Sequence, residues 1–347
     1  DIDRGIGVID FQFFLRLYDR HVGRPDEYDT RIKWSRNLKR RAQQRRIEPF
    51  DPQRVYPYIY RPFTTRLIYA SDVLVDEPGA MREFIQGRTL CLSMSSGLRV
   101  LAGGAPFDLH YVGDTYGLPL RRHDAQNNVV DNITDWGLKQ FIAHYKGCEP
   151  SPQPSPSGRG SKTGARKITK EAIFHYCYAV LHDPVYCEKY AQNLKREFPR
   201  IPFYADFWRW ADWGAELMRL HIDYESVQPF ELTRHDEPDV KARAAGLAPK
   251  PLLKSDPAAG SILLDSETTL RGVPPEAWAY RLGNRSALDW VLDQHKEKKP
   301  KDPTIREEFY TYRFADHKEK VIDLLQRVVM VSVKTVKVVQ AMQTAAR

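Results

Sequence analysis

Two arginines and several aromatic residues alternate between positions 58 and 69, in a run that predicts strand structure. Arg61 and Arg66 offer planar donor pairs that match a phosphate or the edge of a guanine. Rings such as Tyr60 and Phe63 offer flat faces on which a base can stack. The run therefore predicts a nucleic-acid contact. The alternative is a half-buried strand with its aromatic residues in a core and its arginines in solvent.

A second group of basic residues lies between positions 31 and 46, where eight lysines and arginines occur without an acidic residue. Such a run can neutralise phosphates. On a helical wheel the charges point in all directions and leave only a thin apolar line, which is also typical of a solvated surface. Phosphate contact is predicted for six of these residues, which are Arg36, Lys39, Arg40, Arg41, Arg45 and Arg46.

Further arginines occupy predicted turns. Arg99 closes the sequence Ser-Ser-Gly-Leu-Arg, and Arg121 and Arg122 follow a short apolar run. Recognition residues commonly lie on loops that a rigid scaffold holds in place. We expect side chains in these turns to reach base edges.

Candidate catalytic patterns are incomplete. The Pro-Pro pair in 273–276 lacks the polar and aromatic neighbours of a loop that holds a flipped adenine. The stretch 158–163 lacks the Gly-Lys-Ser/Thr order of a phosphate-binding loop. The acid-x-Lys triplet at 239–241 has no convincing partner acid upstream and is attributed to chance. No catalytic residue is predicted.

Metal ligands are not predicted either. The cysteines form no Cys-x-x-Cys pair and three helix-face histidines lack metal-ligand spacing, so free thiols and structural histidines are the simplest interpretation. Free thiols are typical of a reducing cytosol, so a cytoplasmic location is expected. These residues are Cys91, Cys148, Cys177, Cys187, His175, His182 and His221.

Composition predicts a globular chain. Its 347 residues are 42% hydrophobic and 12% aromatic, enough for a sizeable core and two or so domains. The net charge of +8 favours an anionic partner, although it is modest beside 53 basic and 45 acidic residues. No uncharged apolar run is long enough to span a membrane. The first residue is Asp1 and no signal-peptide pattern follows, so a fragment of a longer protein is expected.

The elements that must position these residues change along the chain. Periodic apolar residues predict helices over 8–46, and strand-like runs at 59–70, 89–94 and 109–112 predict a sheet. The Pro/Ser-rich tract at about 147–166 predicts a disordered surface insert, and its basic residues need not touch DNA.

The second half is predicted to be mostly helical. One helix starts after Thr169, and the next starts at Asp183-Pro184 and continues to Pro199. A third carries Trp208, Trp210 and Trp213, which are core residues or stacking platforms. A strand at 260–264, a helix capped by Ser286 and a long amphipathic helix over 321–342 follow. The predicted class is α+β, with a sheet-containing N-terminal half and a largely helical C-terminal half.

Four blocks carry a family resemblance. Tyr-Arg-Pro-Phe with Arg-Leu-Ile-Tyr at 60–69, and the blocks 169–184, 280–290 and 311–322, resemble the C-terminal specificity region of Type ISP restriction-modification enzymes and large adenine-specific DNA methyltransferases. The resemblance covers roughly 51–342. It implies the end of a helical coupler at 1–50 and a target-recognition domain at 51–347, which the insert interrupts.

The resemblance implies sequence-specific binding of double-stranded DNA. The chain would be the target-recognition part of an enzyme that defends against foreign DNA, with methyltransferase and coupler domains on the same polypeptide. S-adenosylmethionine, ATP and magnesium are implied for that enzyme, and no cofactor and no membrane for this chain. Two alternatives stay open, an unrecognised nuclease domain and a scaffold that contacts only protein.

Overall fold

The computed structural model describes residues 8–24, 34–75, 90–95, 99–124, 126–146, 166–297 and 312–347. The predicted insert at about 147–166 lies outside these residues except for Arg166. Arg31, Lys33 and the centre of the turn before Arg99 also lie outside them.

The N-terminal part is helical, as predicted. Helices α1 (Val8–Arg20) and α2 (Arg36–Gln43) pack through a small core that contains Tyr18, Leu38 and Ala42. Ser35 starts α2, because its hydroxyl accepts a hydrogen bond from the amide of Leu38 at 3.1 Å.

The strand-like run at 59–70 is extended as predicted, but it belongs to a hairpin of two strands. Strands β1 (Val55–Arg61) and β2 (Thr64–Tyr69) pair antiparallel, with Tyr58 opposite Arg66. The chain reverses at Pro62-Phe63 because proline has no amide to donate and Phe63 adopts a φ of 58°.

Strands β3 (Cys91–Ser95), β4 (Arg99–Gly103) and β5 (Thr115–Pro119) form an antiparallel sheet in the order β4-β3-β5. The strand predicted at 109–112 is wrong, since these residues form turns between β4 and β5. The ring of Tyr111 and the side chain of Val112 are buried and pack into the core from a loop, which explains the apolar run. Strands β6 (Arg121–His123) and β7 (Val129–Asp131) form a separate hairpin.

Helices α3 (Asp135–His144), α4 (Lys170–Val180), α5 (Pro184–Lys189) and α6 (Phe207–Ile222) follow. Thr169 and Asp183 cap α4 and α5 as predicted. Helix α4 packs tightly on α6 at Gly214, where a Cβ atom would lie 1.8 Å from the carbonyl oxygen of His175. The extension of α5 to Pro199 is wrong, because an exposed, irregular segment with one 3₁₀ turn follows Lys189.

A four-stranded antiparallel sheet follows in the order β8-β11-β10-β9, of which only β10 was anticipated. Its strands are β8 (Thr233–Asp236), β9 (Pro251–Asp256), β10 (Ser261–Asp265) and β11 (Thr268–Arg271). The remaining elements are α7 (Val240–Ala244), α8 (Pro275–Ala279), β12 (Arg281–Leu282), β13 (Arg285–Ser286), α9 (Ala287–Gln294) and α10 (Phe314–Gln343).

The long helix α10 connects the two main cores. Val328 belongs to the core beneath the four-stranded sheet, and Met342 belongs to the core of α4 and α6. In the part of the chain that the structure describes, no helix is both long and apolar enough to cross a membrane. The predicted α+β class is confirmed, with most strands in the N-terminal half and a helical C-terminus.

Candidate nucleic-acid interface

The arginines on and after α2 divide into two sets. Arg36, Arg40, Arg45 and Arg46 are exposed, and Lys39 is partly exposed. The side chain of Arg41 instead turns inward, is only 8% exposed and donates to the carbonyl oxygens of Val73 and Val75, at 2.8 and 2.7 Å. A helix with charges all round must bury some of them where it packs. Arg41 therefore holds the segment before position 76 and is not presented to a ligand, contrary to its predicted place in the DNA-contacting set.

Arg61 and Arg66 both stack on the ring of Tyr60, with their guanidinium carbons 4.1 and 3.7 Å from the ring centroid. Arg61 also donates to Asp108 Oδ1 at 2.6 Å, and its side chain is 18% exposed. This ion pair fixes the turn of the β1–β2 hairpin against the loop after β4. Arg61 thus braces this turn by pairing with a carboxylate.

Arg99 lies close to two turns. Its Nη1 atom donates to the carbonyl oxygen of Val112 at 3.4 Å. A Cβ atom built at Gly113 would lie 3.2 Å from Nη1, and one built at Gly283 would lie 3.0 Å from Nε. Both glycines have positive φ, of 122° and 73°. The β12–β13 turn therefore approaches the guanidinium of Arg99 closely because it has no side chain at 283.

The β12–β13 turn adds polar groups to this site that the sequence reasoning missed. Asn284 is exposed at its tip, and Arg281 is exposed beside it and donates to the carbonyl oxygen of Asn284. Arg285 pairs with Asp293 at 3.2 Å. The signal was the Gly-Asn pair, a common two-residue turn between short strands. We call Arg99, Arg281 and Asn284 the turn cluster.

Arg121 and Arg122 lie away from the turn cluster. Arg99 is opposite Ser95 at one end of the three-stranded sheet, whereas Arg121 follows Pro119, which is opposite Cys91 at the other end. Five residues of strand separate these ends by roughly 15 Å. Arg121 is exposed and pairs with Asp131 at 3.4 Å. The structure does not bring the predicted base-reading arginines into one site.

Structural roles account for the other candidates. Asp239 caps α7 by accepting from the amide of Ala242 at 3.0 Å, which explains an acid two residues before a lysine. Trp208 and Trp210 are buried in the core of α4 and α6, which favours the packing interpretation. Among the described residues, no group of three or more histidine, cysteine, aspartate or glutamate side chains could hold a metal ion.

His221 is a structural histidine at the centre of the molecule. Its Nδ1 atom lies 2.6 Å from the hydroxyl of Tyr178, and its Nε2 atom lies 3.0 and 3.1 Å from the hydroxyls of Thr335 and Tyr280. Burial lowers the pKa of His221 well below its ordinary value, and the neighbouring His182 lowers it further. The imidazole is therefore neutral and joins α4, α6 and α10.

Comparison with solved structures shows where this fold occurs. A cryo-electron-microscopy structure of a DrdV–DNA complex is similar with a TM-score of 0.86 and 41% identity, over 98% of this chain and 34% of that chain. The Type ISP enzyme LlaGI, as a nuclease-deletion mutant with a DNA substrate mimic, has a TM-score of 0.69 and 21% identity, over 96% of this chain and 26% of that one. LlaBIII, an ATP-dependent Type ISP enzyme bound to DNA, has a TM-score of 0.71 and 19% identity, over 98% and 22%.

At these identities the likeness to LlaGI and LlaBIII shows the fold alone. This chain spans about a third of the length of the DrdV chain and less of the other two. A search of curated proteins found no match. The family model of the Type ISP C-terminal specificity domain matches residues 12–324, which is most of the chain and includes all four blocks of the resemblance. The chain therefore belongs to the Type ISP C-terminal specificity domain family.

Proposed function

We propose that this chain binds duplex DNA and selects the target site of a Type ISP restriction-modification enzyme. The observation that carries the proposal is the similarity to DrdV, whose structure is a DNA complex and matches 98% of this chain at 41% identity. The net charge of +8 is consistent with a polyanionic ligand.

The exposed and partly exposed basic side chains have two roles in this proposal. Arg36, Lys39, Arg40, Arg45 and Arg46 neutralise phosphates, because they extend from one short helix and the turn after it. The turn cluster reads base edges, since arginine suits guanine and asparagine suits adenine in the major groove. Arg66 and the β6–β7 hairpin, with Arg121 and Arg122, supply further backbone contacts.

The remainder of the enzyme is also a proposal. The site that this chain selects would be presented to an adenine methyltransferase domain on the same polypeptide, with S-adenosylmethionine as methyl donor and ATP and magnesium serving the restriction activity. A coupler ending near residue 50 would connect the parts. No cofactor is assigned to this chain.

The experiment is selection of bound sequences from a random duplex pool, followed by affinity measurements at several salt concentrations. A target-recognition domain enriches one short motif and binds it more tightly than unrelated duplexes by a factor of roughly 10³ or more. Binding without enrichment would indicate electrostatic attraction alone, and absence of salt-sensitive binding would favour the scaffold alternative. Degradation of the duplex in magnesium would favour the nuclease alternative.

A further inference from the structure

Strand β5 exposes apolar side chains on the face of its sheet opposite Arg99. Tyr116 is 58% exposed and Leu118 is 38% exposed, although they point to the same face of the sheet as the buried Met94, which is opposite Tyr116. Leu92 and Met94 on this face pack into the core of α4 and α6. The apolar face therefore continues beyond the helices that cover it.

The irregular segment after α5 brings a second aromatic residue to this place. Phe198 is 62% exposed, and its ring meets that of Tyr116 edge to face with a centroid separation of 5.6 Å. Tyr116 is held in a paired strand, and Phe198 precedes Pro199, which restricts its backbone. The pair is a fixed apolar projection, which we call the aromatic edge.

The surroundings of the aromatic edge are basic. Between Lys189 and Arg200 there are four basic residues and one acidic residue, Glu197, which pairs with Arg200 at 3.2 Å. Lys195 and Arg196 are exposed and form no ion pair with an acidic residue in the described part of the chain. Protein-binding surfaces usually have few charged residues at their centre, whereas this one has lysine and arginine next to the rings.

The aromatic edge lies at the same end of the three-stranded sheet as Arg99, on the opposite face of the sheet. Thr115, next to Tyr116, lies opposite Ser95, and Ser95 lies opposite Arg99. Two strand spacings separate β5 from β4, so Tyr116 and Arg99 are roughly 10 Å apart in the sheet. A duplex that lies across this end of the sheet is wide enough to contact both Arg99 on one face and the rings on the other. Proteins that bend DNA insert such apolar wedges between base steps.

We propose that Tyr116 and Phe198 form a wedge that unstacks a base step of the bound duplex, while Lys195 and Arg196 hold the adjoining phosphates. This inference rests on the proposed function, because it requires that the chain bind duplex DNA. It gives a binding role to Phe198, which the sequence predicted to lie on a helix. It also adds a second source of specificity, since pyrimidine–purine steps unstack most easily.

The test uses the 347-residue chain and its selected duplex with 2-aminopurine placed at successive positions. The wild-type chain should increase the fluorescence at one step, which reports loss of stacking. The double substitution Tyr116→Ala, Phe198→Ala should abolish that increase and weaken binding by roughly 10-fold. Phe198→Trp should retain both. Lys195→Ala with Arg196→Ala should flatten the salt slope by up to about 1.8 on a log-log plot.

Trp136→Ala is the matched control, because Trp136 is a 72% exposed aromatic residue on α3. It should leave both readouts unchanged. If the double variant melts at the wild-type temperature and gives wild-type fluorescence and affinity, the wedge is wrong and the proposed function stands. If the double variant keeps the fluorescence increase but no longer binds the methyltransferase domain, the aromatic edge is a protein-docking surface and the wedge is wrong. A wild-type chain that binds no duplex overturns both.

Discussion

Arg347 forms a bidentate ion pair with Asp183, the residue that caps α5. Its Nη2 and Nε atoms lie 2.5 and 2.9 Å from the two carboxylate oxygens, and the side chain of Asp183 is fully buried. The hydroxyl of Tyr204 donates to the same carboxylate at 2.8 Å. The end of the chain is thereby fixed to the core of α4 and α6.

Arg347→Ala should destabilise the protein by about 2 kcal/mol, because it leaves a buried carboxylate without its counter-charge. The loss stays below that of a fully buried pair, since Tyr204 and the amide of Val185 still donate to Asp183. Thermal unfolding should show a decrease of roughly 4 °C in Tm. Arg200→Ala, which removes an exposed pair with Glu197, is the control and should change Tm little. Equal decreases in Tm for the two variants would contradict a stabilising role for the pair between Arg347 and Asp183.

Acid should destabilise the protein through His221. The pKa of this buried imidazole is lowered well below 6.5, while the unfolded chain takes up a proton near 6.5. The contribution of the neutral His221 to stability is therefore fully present above about pH 6.5 and is lost as the pH falls below that value. The loss should reach about 2 kcal/mol at pH 5.

Urea unfolding at pH 7.5 and 5 measures this loss. His221→Gln should have a smaller difference in unfolding free energy between the two pH values than the wild type. His110→Gln is the control, since the side chain of His110 is exposed beside Asp114. An unchanged pH difference in His221→Gln would show that other groups cause the acid sensitivity.

The arginines of α2 should contribute affinity without sequence preference. Changing Arg36, Arg40, Arg45 and Arg46 together to alanine should weaken binding to all duplexes alike and flatten the salt slope by about 0.9 for each lost phosphate contact. Binding isotherms at salt concentrations from roughly 50 to 300 mM measure this slope. Arg41→Ala should instead reduce stability, because it frees the carbonyls of Val73 and Val75. A quadruple variant with the wild-type slope would mean that this helix faces another domain.

The turn cluster should carry base discrimination. Arg99→Ala and Asn284→Ala are each expected to reduce the preference for the selected site over a single-base variant by about 1–3 kcal/mol. Competition binding with the selected duplex and its point variants measures this preference. Arg121→Ala, at the other end of the sheet, should weaken matched and mismatched duplexes by the same factor. Equal weakening by all three variants would place base reading elsewhere.

Arg61→Ala should affect folding more than specificity. The guanidinium holds Asp108 and lies over Tyr60, so its removal should cost about 1 kcal/mol of stability. Asp108→Asn should reproduce most of that loss. The ratio of affinities for matched and mismatched duplexes should not change in either variant. A change in that ratio for Arg61→Ala alone would restore Arg61 as a base-reading residue.

The sequence predicted the helix starts that depend only on neighbouring residues. Thr169, Asp183 and Ser286 start helices because their side chains accept from amides three or fewer residues ahead, and this pattern is visible in the sequence. The hairpin at Pro62-Phe63 was missed because a proline and a positive φ at phenylalanine interrupt a run that otherwise has strand composition.

The candidate site depends on contacts between distant segments, which spacing along the chain does not reveal. The sequence identified Arg99 and Arg61 as candidates, but it did not predict that Arg99 meets Gly283 or that Arg61 meets Asp108. The sequence analysis also treated Arg41 like its neighbours, because the sequence does not show whether a basic side chain points into the protein or into solvent. The exposed Phe198 was assigned to a helix that ends at Lys189.

The approach of the β12–β13 turn to Arg99 constrains how this protein can acquire a new target sequence. A hybrid that joins the first half of this chain to the second half of a relative would place Arg99 beside a turn with which it has not co-evolved. If that turn carries any side chain at the position of Gly283, the guanidinium must move. Target preference should therefore change most readily by substitution of single side chains at the turns, while exchange of whole segments should often disrupt it.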